Sequence, residues 1–144
     1  MRTALNQKFV NVTPPAAIVD NASFTTAELD TLGFRFVTYL IVLGATDIAV
    51  AALKLTESDT AGSGHADVDG TDYSTDGTLP SATDDNKIFA IHVDLRGRKR
   101  YLDLTFTAGD GTAGTFGTVI AVLSDPEIMR SSATDRGLAA ELAV

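Results

Sequence analysis

The chain has 144 residues, with 19 Asp and Glu against 11 Lys and Arg, and no cysteine. That length suits a single domain spanning 1–144, able to bury about two-thirds of its unfolded surface unaided, and the missing thiols exclude a disulfide framework and thiolate metal sites. A formal charge of −8 argues against nucleic acid as the main partner, because phosphate binding needs a basic face.

Residues 1–20 contain Thr13-Pro14-Pro15, which can continue neither a helix nor a central strand, so an extended N-terminal arm is expected there. No apolar stretch of signal-peptide length follows Met1, and the run around residues 34–43 falls far below the roughly 18 residues of a membrane helix. Synthesis in the cytoplasm, without a Sec-type export signal and without a membrane partner, is the expectation. Residues 23–32 fit either a turn of helix or a strand.

The run from Phe34 to Leu43 is β-branched and aromatic, carries apolar residues on both of its faces and meets Gly44, and it predicts a strand buried on both sides that stops there. Leu53 and Leu55 alternate with Lys54 and Thr56, the period of a half-exposed strand. Residues 57–86 then form a long excursion rich in Gly, Ser and Thr, with eight acids and no Lys or Arg before Asn86, expected as a functional or mobile loop. Within it Asp67, Asp69 and Asp72 have the spacing of a calcium loop. The EF-hand pattern nevertheless fails, since Gly70 comes too early and Thr78 occupies the twelfth position.

Phe89, Ile91, Val93 and Leu95 alternate with polar neighbours, and Leu102, Leu104 and Phe106 repeat the pattern. The Gly-containing connection between them has hairpin length, and a further Gly-rich turn at 110–114 precedes a strand over 115–123. These elements predict an antiparallel meander over 87–124. Residues 139–142 are too short for a stable helix. The fold class is therefore all-β, an antiparallel sandwich or jelly-roll-like domain.

No catalytic constellation emerges. The abundant carboxylates sit in solvent-like sequence, no Gly-x-Ser-x-Gly elbow exists, and the two histidines, His65 and His92, lack metal-ligand spacing. An enzyme is not expected, nor is a cofactor. Arg96, Arg98, Lys99 and Arg100 concentrate four of the eleven basic residues in one turn. In so acidic a chain, that turn is expected to meet the acidic loop of residues 57–86, within the subunit or on a neighbour.

The segments Leu43-Gly44-Ala45-Thr46-Asp47-Ile48-Ala49 and Ala52-Leu53-Lys54-Leu55-Thr56-Glu57-Ser58-Asp59 resemble those of small virion structural proteins from tailed phages and prophages. The resemblance continues through residues 79–87 and 94–102, returns weakly at 132–135, and spans about residue 14 to the C-terminus. It implies a head decoration or cement protein that bridges major capsid subunits on the capsid surface and associates with itself as a dimer or trimer. On this reading the contact residues are Arg96, Arg98, Lys99 and Arg100, with Arg2, Lys8 and Phe9 of the arm. A neck, tail or fibre adaptor and a carbohydrate- or Ca2+-binding sandwich module stand as the alternatives.

Overall fold

The computed structural model describes residues 6–13, 20–129 and 132–142. Nine strands account for the regular structure of these residues: β1 (Lys8–Thr13), β2 (Ser23–Thr25), β3 (Leu29–Asp30), β4 (Phe34–Thr46), β5 (Ala52–Ser58), β6 (Ala66–Asp67), β7 (Ile88–Asp94), β8 (Tyr101–Thr107) and β9 (Thr115–Pro126). A short 3-10 turn, Thr134–Arg136, follows. Among the described residues no helix is long and apolar enough to cross a membrane. The strands form two antiparallel sheets, in the orders β1-β9-β4-β7 and β2-β8-β5-β6, with β3 also paired to β8. The nearly all-β, two-sheet expectation is met in a sandwich-like form, while a jelly-roll connection pattern does not follow from this order.

Period-two alternation builds the core. From β4 come Val37, Tyr39, Ile41 and Leu43, from β5 Leu53 and Leu55, from β7 Ile91 and Val93, and from β8 Leu102, Leu104 and Phe106. From β9 come Val119, Ala121 and Leu123, so both sheets contribute to one cluster. Each such side chain contributes about 1.5–3 kcal/mol by leaving water. The Tyr39 hydroxyl crosses from one sheet to the other and donates to the Leu102 carbonyl at 3.4 Å. Burial pushes its pKa far above the usual phenol value.

Several sequence expectations change. The segment 87–124 is not a meander, because β7 pairs with β4, β8 with β5, β2 and β3, and β9 with β4 and β1. The chain crosses between sheets at each turn instead. Hairpin-length connections also suit such crossings, and Ile91, Leu104 and Val119 can then all face one core.

Strand β4 runs through Gly44 to Thr46, with a register shift against β9 between Leu43 and Thr46. A Cβ on Gly44 would lie 2.7 Å from the Phe116 Cβ, so the glycine serves close approach rather than termination. The same strand is buried on one face only: Phe36 is 40% exposed and Leu40 and Val42 are partly open.

The described part of the N-terminal arm is strand β1, an integral edge of the first sheet, rather than a detached segment. Residues 14–19 lie outside the described residues. The excursion over 57–86 is organised: it holds the end of β5 and strand β6, and buries Val68 and Pro80. Its Tyr73 hydroxyl donates to the Ala90 carbonyl at 2.8 Å. Residues 23–32 resolve as strands β2 and β3.

The one-sided burial of β4 has a direct test. In equilibrium urea unfolding, Ile41→Ala is expected to cost about 2–5 kcal/mol, and Leu40→Ala, one residue away on the open face, less than half of that.

Candidate functional site

The basic turn is a corner linking β7 of one sheet to β8 of the other, with Gly97 in the left-handed region at φ 80°. The Arg96 Nε lies 3.0 Å from both Asp94 carboxylate oxygens. Arg100 grips Asp30 through two bonds, of 2.8 and 2.6 Å, and its guanidinium lies 5.0 Å from the Tyr101 ring centroid. Arg98 pairs with Glu57 at 3.6 Å, while the Lys99 backbone N–H donates to the same carboxylate at 3.0 Å. Acids of the same subunit thus neutralise the three arginines. Among the described residues, the Lys99 ammonium alone in this corner has no ion pair.

The acids of the long excursion cap turns. Asp72 accepts from the Ser74 backbone and hydroxyl at 2.8 and 2.6 Å, and Asp84 accepts from the Ser81 backbone and hydroxyl and from Lys87 at 2.7–2.8 Å. Asp85 accepts from the Thr46 N–H at 2.8 Å. Asp67 pairs with Lys54 at 2.8 Å, and Asp69 is exposed. The structure therefore does not bring Asp67, Asp69 and Asp72 together into a cation-ligating group. An open groove of about 300 Å³ lies beside these turns, lined by Asp72, Tyr73, Asp76, Ala90 and His92 among others. His92 is a surface histidine whose Nδ1 sits 2.9 Å from the Thr38 hydroxyl on the neighbouring strand.

Two surfaces emerge that single residues did not announce. The first is the outer face of the first sheet. Register places Phe9 of β1, Ile120 of β9, Phe36, Leu40 and Val42 of β4, and Ile88 of β7 on that side, and all are partly or largely open. Ile88 is 64% exposed. Lys8 belongs to the same edge strand and is half-buried, and Arg2 lies outside the described residues. The apolar residues on both faces of β4 were the sequence signal for this surface.

The second is a polar cluster on the outer face of the other sheet. His65 Nε2 stands 3.3 Å from Glu28 Oε2 and 3.2 Å from Asp103 Oδ2. Burial, opposed in part by His65 and reinforced by Glu28, raises the Asp103 pKa. Glu28 and Asp103 escaped the sequence reading because 75 positions separate them in the chain; only the pairing of β3 and β8 makes them neighbours.

Hydrogen bonds from Arg96 hold the Asp94 carboxyl at about 2, and those from Lys87 and Ser81 hold Asp84 at about 2, against an ordinary value of about 3.9. Because these folded values are depressed, their stabilisation is present above about pH 4 and is lost as pH falls through about 2. Carboxyl titration by NMR is expected to show both midpoints near 2, with Arg96→Ser returning Asp94 alone toward the ordinary range.

No family model matches the chain, and no curated protein sequence does. Among solved structures the chain is similar to the crystal structure of the SPBc2 prophage-derived protein YomS, at a TM-score of 0.51 and 16% identity, over 83% of this chain and 93% of that one. At that identity the similarity is one of fold.

Proposed function

We propose that the chain is a virion structural protein of a tailed phage, working as a head decoration or cement protein that bridges neighbouring major capsid subunits noncovalently. The observation that carries this reading is the open apolar face of the first sheet. Six apolar side chains from four adjacent strands stand on it, and in a strongly acidic chain such a face is the signature of a docking surface. The resemblance of residues 43–59 and 94–102 to small phage virion proteins supports the reading, and so does the prophage origin of a protein with a similar fold.

Function then resides in surfaces rather than in a catalytic centre. The apolar face supplies contact area, and Lys8, Phe9 and the uncommitted Lys99 ammonium are the contact residues nearest the open edge and corner. Arg96, Arg98 and Arg100 act mainly inside the subunit: Arg98 and Arg100 hold the β7–β8 corner to β5 and β3, and Arg96 pairs with Asp94 at the end of β7. Many copies on a lattice gain strength through avidity, so each interface can be small. Self-association as a dimer or trimer on lattice axes fits the same arrangement.

Electron microscopy of the purified particle tests the reading. Density for this chain on the outer head shell is expected, and confinement to the neck or tail would replace the decoration role with that of an adaptor. The double variant Phe36→Asp, Ile88→Asp is expected to keep its circular dichroism spectrum while its particle occupancy falls at least tenfold. That fall corresponds to about 1.4 kcal/mol or more of binding free energy. Undiminished occupancy would remove the apolar face as the contact.

A further inference from the structure

We infer that Glu28, His65 and Asp103 form a binding site for a divalent transition-metal cation of the Zn2+ type. This inference stands apart from the virion reading and rests on a different sheet. Three separate pieces of backbone converge there. Asp103 projects from the outer face of β8, whose alternate residues Leu102 and Leu104 enter the core. Glu28 lies between β2 and β3, both paired to β8. His65 ends the turn that follows β5 and immediately precedes β6.

Three observations support a cation at this place. The first is distance. Ligands bonded at about 2.0–2.1 Å in a tetrahedral site stand about 3.3–3.4 Å apart, and the His65 nitrogen stands 3.3 and 3.2 Å from the two carboxylate oxygens. One donor atom from each of the three residues lies within 4.8 Å of the other two.

The second is unfilled bonding capacity. His65 Nε2 and Asp103 Oδ1 are both buried and neither has a hydrogen-bond partner. The ring nitrogen stands within 3.3 Å of an oxygen of each carboxylate and yet hydrogen-bonds to neither. Leaving the ring nitrogen unsatisfied is costly, and a cation held between it, Glu28 Oε2 and Asp103 Oδ2 satisfies it. It also compensates two carboxylates whose side chains are only 25% and 14% exposed.

The third is preorganisation. Glu28 Oε2 already accepts the Gly62 N–H at 2.7 Å, an outer-shell bond that orients a ligand. The turn carrying His65 is fixed by the Thr60–Ser63 bridge, and the Ser58 hydroxyl both accepts from the Thr60 N–H and donates to the Ser63 carbonyl. Left-handed Gly62 and Gly64, at φ 73° and 71°, allow that path. One imidazole with two carboxylates selects Zn2+ over Ca2+ or Mg2+, which take more oxygen ligands and rarely imidazole. Three protein ligands leave a fourth position for water or for a donor from a neighbouring molecule. The bound ion would clamp the 59–65 turn and the β2–β3 connection onto β8.

The test uses the full chain stripped of metal with a chelator. Calorimetric titration with Zn2+ is expected to show one equivalent bound, and Zn2+ in hundredfold excess over Kd is expected to raise Tm by about 5 °C or more. Ca2+ and Mg2+ are expected to do neither. Co2+ in place of Zn2+ is expected to give the visible absorption of a low-symmetry, four-coordinate site, which reads the ligand set in the unmutated protein. His65→Asn and Asp103→Asn are each expected to abolish binding while retaining the circular dichroism spectrum, and Glu28→Gln to weaken it by about 10–100-fold. The inference is overturned if Zn2+ binds no tighter than about 100 μM, if Co2+ gives only the pale octahedral spectrum, or if folded His65→Asn binds as the parent does.

Discussion

Strand β4 sits between β9 and β7 at the middle of the first sheet, and its alternation constrains everything around it. Val37, Tyr39, Ile41 and Leu43 enter the core, and the register they set aligns Val93 and Ile91 on one side with Leu123, Ala121 and Val119 on the other. A slip of one residue would turn Phe36, Leu40 and Val42 inward and expose Tyr39 and Ile41, so the register is strongly specified. Tyr39 carries the constraint across the core through its bond to the Leu102 carbonyl, and β8 is aligned by β5 on one side and by β2 and β3 on the other. The positions of the Arg98 corner and of Asp103 both follow from that alignment.

The acidic balance of the chain has a structural use. Asp72 and Asp84 satisfy backbone N–H groups in tight turns, where a short side-chain acceptor substitutes for a strand partner, and Asp85 does so for Thr46 at the end of β4. Asp47 does so between distant segments. Its carboxylate accepts from the Thr112 and Ala113 N–H groups at 2.6 and 2.7 Å, fastening the β8–β9 crossing to the β4–β5 crossing. The backbone bonds, that to Ala113 foremost, lower the Asp47 pKa. The remaining excess of negative charge discourages indiscriminate association through the open apolar residues of the first sheet.

The outer faces of the two sheets differ in kind. The first carries open apolar side chains from Phe9 at one edge to Ile88 at the other, with Thr38, His92 and Thr118 among them. The second is polar, with the turn carrying His65 folded against Asp103 and Glu28.

Strand positions and inward faces were legible from the sequence wherever apolar and polar residues alternate, as at Leu53 and Leu55, Ile91 and Val93, and Leu102 to Phe106. Side-chain direction in a strand has a fixed period of two, so that pattern is local information. Pairing is not local. The same short turns that suggest a meander also serve crossings between sheets, and only the shared core decides that β7, β8 and β9 never pair with one another. For the same reason the strand ending at Gly44 became one continuing past it, once Phe116 was seen to pack there. The basic turn was evident from composition, but the pairing of Arg98 with Glu57 and of Arg100 with Asp30 required the sheets to bring β5 and β3 beside it. The cluster of Glu28, His65 and Asp103 lay wholly beyond the sequence, because no spacing along the chain encodes a meeting made by strand pairing.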